Sequence, residues 1–138
     1  MSEPILTAVV STYNAERFIR GCLDDLLRQT IAERMEIIVV DAASPGNEQA
    51  VVAELQRRHD NIRYVRAATR ETLYASWNRG IRMARGKYVT NANTDDRHRR
   101  DALGRLVQAL EDDSEAVLAD TPSFSLSILV LTFSCDHS

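Results

Sequence analysis

The sequence predicts an α/β domain in which a mostly parallel sheet is covered by helices on both faces. Three observations predict this fold class. Short apolar runs alternate with segments of helical spacing, the runs are apolar throughout, and polar residues follow the runs directly. Strands that are apolar throughout are typical of parallel sheets, because helices cover both faces of such sheets.

The first half of the chain contains three predicted strands separated by two predicted helices. The strands are the apolar runs Ile5 to Val10 and Met35 to Val40, followed by a third, shorter strand from Asn61 to Arg66. Helices are predicted from Ala15 to Gln29 and from Glu48 to His59, because apolar residues in both segments recur at spacings of three and four.

The second half continues the same alternation. A helix is predicted from Tyr74 to Ala84, with Tyr74 and Trp77 packed in the core and with Gly86 as the stop signal. A strand follows from Lys87 to Ala92. Apolar spacing then predicts another helix from Asp101 to Leu110.

The composition is that of an ordinary soluble domain, with 44% hydrophobic and 27% charged residues among 138. A chain of this length is expected to form one domain. The net charge of -3 argues against nucleic acid as the main partner, since nucleic-acid-binding domains usually carry a basic excess. No apolar run approaches the roughly 20 residues of a membrane-spanning helix, so no transmembrane segment is expected.

Two further expectations concern the compartment and the domain boundary. The isolated Cys22 and Cys135, and an N-terminus without a positively charged leader, predict a cytoplasmic protein. Residues 1–120, which close with a predicted short strand from Ala116 to Ala119, are expected to form the domain. Residues 121–138 form a Ser-rich apolar tail, which we expect to be either disordered or frame-shifted.

Polar residues cluster directly after the predicted strands. Parallel strands end at one edge of their sheet, and this edge is where ligands bind in α/β proteins. The polar residues expected there are Ser11 to Asn14, Asp41, Ala67 to Arg70 and Asn93 to Asp96. These four groups therefore contain the candidate binding residues.

Asp95 and Asp96 place two carboxylates directly after a buried strand. Mg²⁺ and Mn²⁺ bind through one or two carboxylates together with substrate phosphates, so the pair predicts a metal site that bridges a diphosphate. In the alternative interpretation, one of the acids only caps the following helix. His98 follows the pair and is either a third ligand or an exposed loop residue.

The other strand ends offer groups that suit a nucleoside diphosphate. Thr12, Tyr13 and Asn14 supply a hydroxyl, an aromatic face and an amide, although Thr12 or Asn14 can instead cap the next helix. Asp41 can accept a hydrogen bond from a ribose hydroxyl or a base N–H, or it can form an Asx-type turn. Arg70 has the guanidinium geometry that matches phosphate, and a solvated surface position is its alternative.

Several common site motifs are missing from the sequence. No G-x-G-x-x-G follows the first strand and no G-x-x-x-x-G-K-[ST] is present, which excludes a dinucleotide fingerprint and a P-loop. The G-x-S-x-G nucleophile elbow is missing as well. The loop from Ser11 to Ala15 is also unlike the Gly-rich basic loop that is typical of nucleotidyltransferases.

Three segments of the chain resemble family 2 glycosyltransferases of the GT-A fold. They are, in family order, VVSTYNAERFIRGCLDDLLRQT, EIIVVDAASPG and WNRGIRMARGKYVTNANTDDRHRRDAL. The resemblance covers about residues 5 to 120 and implies a Rossmann-like GT-A fold that is incomplete at the C-terminus. It also implies transfer of a sugar from a UDP- or GDP-type nucleotide-diphosphate donor to an acceptor, with Mg²⁺ or Mn²⁺ and with inversion at the anomeric carbon.

On this resemblance, two strand ends match the nucleoside-binding part of the family. Thr12 and Tyr13 correspond to the loop that contacts the nucleotide base. Asp41 corresponds to the first acid of an Asp-Asp-Gly-Ser type strand end. The second acid is replaced by Ala42 and the glycine by Ala43, which predicts altered recognition of the base.

The resemblance also places the fourth strand end on the metal-binding D-x-D region of the family. Asn93 takes the position of the first acid, Asp95 takes that of the second, and Asp96 follows it. The resemblance implies that the two acids share the ribose and metal contacts. Arg70 lies where some members of the family carry a basic residue near the nucleotide.

No residue of this sequence is assigned as the catalytic base. In the family the base lies well beyond the D-x-D strand, and Asp120 comes too early to match it. The alternative interpretation is therefore a truncated, non-catalytic fragment or a module of a split protein, which binds only the donor nucleotide or a partner chain. An open sheet edge would favour self-association or pairing in that case.

Overall fold

The computed structural model describes residues 3–112. The sequence predicts four strands and four α-helices in this range, and the structure contains them. They are β1 Leu6–Thr12, α1 Glu16–Leu27, β2 Met35–Asp41, α2 Glu48–Gln56, β3 Ile62–Arg66, α3 Leu73–Met83, β4 Tyr88–Asn93 and α4 Ala102–Asp112. A 3₁₀ turn, Ala32–Arg34, precedes β2. The strand predicted at 116–119 and the tail predicted at 121–138 lie outside the described residues.

The strands form a parallel sheet in the order β3-β2-β1-β4. β1 and β2 are buried along their whole length, because they lie at the centre of the sheet with helices on both faces. This arrangement confirms the predicted α/β class. Ser11 of β1 aligns with Val40 of β2 and Asn93 of β4, so the carboxyl ends of these strands lie at one edge.

Two hydrophobic clusters hold the helices on the sheet. The larger one joins one face to α1, α2 and α4, and it includes the buried side chains of Ile19, Leu23 and Leu103. The smaller one joins the other face to α3 through Trp77 and Ile81. Burying one such side chain contributes about 1.5–3 kcal/mol, so packing dominates the stability of these helices. Within residues 3–112, no helix has both the length and the apolarity to cross a membrane.

The structure corrects two predictions about α3. The helix ends at Met83 with Ala84 as its C-cap, so Gly86 is not the residue that stops it. Gly86 is needed for close packing instead, because a Cβ atom added there would lie 2.6 Å from the backbone nitrogen of Thr7. The prediction that Tyr74 lies in the core is also wrong. Tyr74 is 73% exposed, because it lies in the first turn of α3 outside the smaller cluster, where it contacts Trp77 edge-on.

Candidate functional site

The strand order creates a crevice between β1 and β4. β1 pairs with β2 on one side and with β4 on the other. The connections that lead to β2 and to β4 therefore run in opposite directions from β1. Ligands of open α/β sheets bind at such topological switch points. A cavity of about 860 Å³ lies at this edge, and its lining includes Thr12, Tyr13, Asn14, Arg70 and Asp95. The structure thus brings these five predicted site residues together.

The loop after β1 forms one wall of the cavity. Thr12 is buried, and its hydroxyl has no hydrogen-bond partner within the described part of the chain. Leaving such a group unsatisfied costs about 1–3 kcal/mol, so the site favours a ligand that bonds to it. α1 begins after Ala15 without a side-chain cap, so neither Thr12 nor Asn14 caps this helix.

Asn14 shapes this loop through its backbone. It adopts a left-handed conformation with φ of 51°, which Asn tolerates better than most residues. Its N–H donates to Oγ of Ser44 at 3.1 Å, and this bond ties the β1 loop to the loop after β2. Tyr13, the preceding residue, remains 38% exposed at the cavity. The loop therefore presents an accessible aromatic side chain to a ligand.

Arg70 lies against the Tyr13 ring. Its guanidinium carbon is 4.0 Å from the ring centroid, which is a cation–π contact. Arg70 belongs to the loop between β3 and α3, and this loop ends at Thr72, whose hydroxyl caps α3 by accepting the Ala75 N–H at 3.1 Å. A guanidinium stacked on a ring keeps its N–H groups at the edge of its plane, where they can donate to phosphate oxygens.

Asp41 is buried at the end of β2, and both of its carboxylate oxygens are hydrogen-bonded. One oxygen accepts the Ser44 N–H at 2.7 Å, and the other accepts the Tyr64 hydroxyl at 2.6 Å. Burial and this hydrogen bond to Asp41 raise the pKa of Tyr64. The Asx-type turn is therefore present, and Asp41 lies outside the cavity lining. The predicted contact between Asp41 and a nucleotide stays a prediction.

The two residues after Asp41 carry the departures from the family pattern. Ala42 is buried and lines the cavity at the position where the resemblance places a second carboxylate. Ala43 has φ of 64°, in the left-handed region that glycine adopts at less cost. A left-handed backbone at this position explains why the family pattern has a glycine there. Ala43 adopts this conformation at a cost in strain.

Asp95 and Asp96 lie in a turn at the end of β4, which we call the acidic turn. Asp95 is exposed and lines the cavity. Asp96 closes the turn, because its N–H donates to the Asn93 carbonyl at 3.0 Å and its carboxylate accepts the Asn93 N–H at 3.1 Å. Since α4 begins only at Ala102, neither acid caps that helix.

The acidic turn carries two neighbouring carboxylates. Residues 3–112 contain no group of three or more His, Cys, Asp or Glu side chains that could hold a metal ion. Mg²⁺, however, is usually bound through one or two carboxylates, with waters and substrate phosphates as the remaining ligands. Asp95 and Asp96 supply such a pair. His98 is half-buried, and this burial lowers the pKa of its imidazole.

A set of polar contacts between α1 and the segment after the acidic turn was not predicted from the sequence. Asp25 is only 7% exposed, and its carboxylate forms a bidentate pair with Arg97 at 2.6 and 3.0 Å. The same carboxylate accepts the backbone N–H of His98 at 2.9 Å. The hydrogen bonds from Arg97 hold the pKa of Asp25 below its ordinary value despite the burial.

Gln29 holds the next part of this segment. Its side-chain amide donates to the Arg99 carbonyl at 2.6 Å and accepts the Leu103 N–H at 3.1 Å. Leu103 lies in the first turn of α4, so Gln29, two residues after the end of α1, caps that helix. The available signal was the spacing, because Asp25 and Gln29 lie four residues apart on the same face as the buried Leu26.

Comparisons with known proteins identify the family. The family model described as Glycosyl transferase family 2 matches residues 7–129, which is most of the chain. The chain belongs to glycosyl transferase family 2. The putative glycosyltransferase EpsH of Bacillus subtilis is 30% identical over 120 residues, which cover 87% of this chain and 34% of EpsH. The uncharacterized glycosyltransferase EpsJ of the same organism is 36% identical over 93 residues, which cover 67% of this chain and 26% of EpsJ.

Solved structures show that this family 2 chain has the Rossmann-like GT-A fold. The mannosyltransferase PcManGT from Pyrobaculum calidifontis, solved with GDP-Man and Mn²⁺, matches with a TM-score of 0.74 at 25% identity, covering 86% of this chain and 34% of PcManGT. Residues 1–349 of S. aureus TarS match with a TM-score of 0.70 at 23% identity, covering 78% and 32% of the two chains. The chain therefore spans about a third of these two solved structures.

Proposed function

We propose that this family 2 chain binds a nucleotide-diphosphate sugar with Mg²⁺ or Mn²⁺ and serves as the donor site for an inverting sugar transfer. The observation that carries the proposal is the cavity at the switch point, where the β1 loop, Arg70 and Asp95 meet. The presence of GDP-Man and Mn²⁺ in PcManGT supports this donor class and metal. TarS was solved with UDP-GlcNAc, so the proposal includes donors of both the UDP and the GDP type.

In this proposal the nucleoside occupies the β1 side of the cavity. The Tyr13 ring offers a stacking face, and stacking of a base on an aromatic side chain contributes about 1–3 kcal/mol. The Thr12 hydroxyl and the Asn14 amide offer hydrogen-bonding groups at the same wall. Asp41 supports this side by holding the turn that carries Ala42.

The diphosphate lies between Arg70 and the acidic turn. Arg70 would donate hydrogen bonds to the phosphate oxygens, and Asp95 and Asp96 would hold the metal ion. When bound, the ion stabilises the charge that develops on the departing nucleoside diphosphate. Asp96 keeps the turn closed through Asn93, so Asp95 stays at the cavity wall. Inversion also requires a base that removes the acceptor proton, and we assign no residue of this chain to that role.

Calorimetric titration with UDP and with GDP, with and without Mn²⁺, tests the proposal. We expect one nucleotide to bind more tightly with Mn²⁺, and we expect Asp95→Asn to weaken this binding by roughly 10- to 100-fold, as loss of a metal-supporting group does elsewhere. Asp60→Asn removes an exposed carboxylate outside the cavity lining and should have no effect. Binding that is indifferent to Mn²⁺ for both nucleotides would refute the donor site.

A second candidate is a donor-binding module that lacks transfer activity of its own. The chain spans 34% of EpsH and 26% of EpsJ. On this view a partner chain or a second copy supplies the acceptor side. Turnover of a sugar nucleotide by a chain that elutes as a monomer in size-exclusion chromatography would exclude this candidate.

We also propose a cytoplasmic location. The buried thiol of Cys22 supports it, because it has no disulfide partner among residues 3–112 and unpaired thiols persist in a reducing compartment. Fractionation of cells that produce the tagged chain tests the location. Recovery of the chain outside the cytoplasmic fraction would contradict it.

A further inference from the structure

The segment that follows the acidic turn is held in place by one face of α1. Residues 94–100 contain no helix or strand. Three side chains of or next to α1, at successive turns, nevertheless contact this region. Cys22 Sγ donates to the Asn93 carbonyl at 3.5 Å, Asp25 binds Arg97 and His98, and Gln29 binds Arg99. The conformation of the acidic turn therefore depends on contacts that α1 supplies.

Arg97 is the critical member of this segment, because it directly follows Asp96 in the chain. An arginine guanidinium matches the geometry of a carboxylate and pairs with it readily. Left free, Arg97 would compete with a cation for the oxygens of Asp95 and Asp96. Among the described residues, Arg97 instead forms a bidentate pair with Asp25, although the Arg97 side chain is 71% exposed.

We propose that Asp25 is a positioning residue for the metal site, which withdraws the Arg97 guanidinium from the acidic turn and fixes the backbone that follows it. The inference rests on the proposed function, because it assigns Asp95 and Asp96 to a metal ion. Asp25 itself lies outside the cavity lining. It acts through two contacts, the bidentate pair with Arg97 and the acceptance of the His98 N–H.

The test compares nucleotide affinity with and without Mn²⁺ in matched variants. Asp25→Asn has the shape of the wild-type residue but cannot form the charged pair, so we expect the Mn²⁺-dependent gain in affinity to fall by roughly 10- to 100-fold. The affinity without Mn²⁺ should stay the same, which a general loss of structure would not produce. Adding Arg97→Gln to Asp25→Asn removes the competing cation and should restore most of the gain.

Glu54→Gln serves as the control variant. It removes the contact between Arg20 and Glu54, an exposed ion pair that also involves α1 and does not touch the acidic turn. We expect this variant to keep the wild-type Mn²⁺ dependence. Thermal unfolding of each variant identifies any that fail to fold.

The outcomes separate this inference from the proposed function. If the wild-type chain binds neither UDP nor GDP in a Mn²⁺-dependent way, both ideas are overturned. If the wild type shows the dependence and Asp25→Asn keeps it, only the positioning role is wrong. If adding Arg97→Gln to Asp25→Asn does not restore the Mn²⁺-dependent gain in affinity, the idea that Asp25 withdraws Arg97 is wrong.

A measurement on the wild type covers the case in which Asp25→Asn does not fold. The Arg97 Nε–H should give a protected NMR signal, because it is bonded to Asp25 at 2.6 Å. We expect the signal to persist when UDP and the diamagnetic Mg²⁺ are added. Loss of this protection on addition of Mg²⁺ and UDP would show that Arg97 leaves Asp25 in the loaded site, and it would overturn the proposal.

Discussion

Replacement of Asp41 by alanine should destabilise the fold strongly. The substitution removes two hydrogen bonds to a buried carboxylate, from the Ser44 N–H at 2.7 Å and from the Tyr64 hydroxyl at 2.6 Å. A hydrogen bond to a charged group contributes about 1.5–3 kcal/mol, so the expected loss in the free energy of unfolding is about 3–6 kcal/mol. Because a domain usually has about 5–15 kcal/mol in total, Asp41→Ala should be close to the limit of stability.

Urea unfolding followed by circular dichroism measures this effect. Tyr64→Phe removes one of the two hydrogen bonds and should cost about 1.5–3 kcal/mol. Because the two residues share a bond, the double variant should cost less than the sum of the single variants. A loss below about 1 kcal/mol for Asp41→Ala would refute the reasoning, since typical single hydrogen bonds already contribute that much. Asp41 would then not be committed to the turn, and a direct contact with a ligand would be favoured.

Three further predictions concern single residues of the described chain. Since the pKa of Asp25 is lowered in the fold, its contribution to stability is present above the unfolded pKa of about 3.9 and is lost as the pH falls through the folded pKa. Urea unfolding between about pH 5 and pH 3 should therefore show a shallower pH dependence for Asp25→Asn than for the wild type. Burial raises the pKa of Cys22 to about 12, so in a Cys135→Ser variant the remaining thiol should react with Ellman's reagent at pH ~8 only after unfolding; rapid reaction of the native protein would contradict this. Ala43→Gly should stabilise the fold by about 0.5–1 kcal/mol, because relief of a left-handed alanine, about 1–2 kcal/mol, exceeds the added unfolded-state entropy of glycine, about 0.4–1 kcal/mol. The control Ala42→Gly, where φ is not positive, should be destabilising in the same denaturant assay.

The strands were predictable because their environment is uniform. Every residue of β1 and β2 is buried, so most side chains in these strands are apolar, and such short apolar runs are typical of buried parallel strands. Helix ends were harder to predict. Gly86 resembles a helix stop in the sequence, yet it is required by the approach of the Thr7 backbone, a residue far away in the chain. Only the tertiary structure shows which of these two roles a glycine has.

The grouping of the candidate site residues was also predictable from the sequence. Residues directly after the strands of a parallel sheet must meet at one edge, so Thr12, Arg70 and Asp95 could be grouped from the sequence alone. The partner of a carboxylate cannot be found in this way. Asp41 accepts a hydrogen bond from Tyr64. Asp25 pairs with Arg97, a residue 72 positions away, because α1 and the segment after β4 lie side by side in the fold.

The register of α1 connects the two walls of the cavity. The helix begins two residues after Asn14, in the loop that presents Tyr13, and its second half contacts the segment after β4. Two of the contacting residues, Cys22 and Asp25, are three apart in α1 and lie on one face, and Gln29 follows two residues after the helix ends. A shift of one residue in this helix would rotate that face by about 100° and would separate Asp25 from Arg97. α1 therefore links the position of the β1 loop to that of the acidic turn. An insertion in the first half of α1 should impair nucleotide and metal binding together.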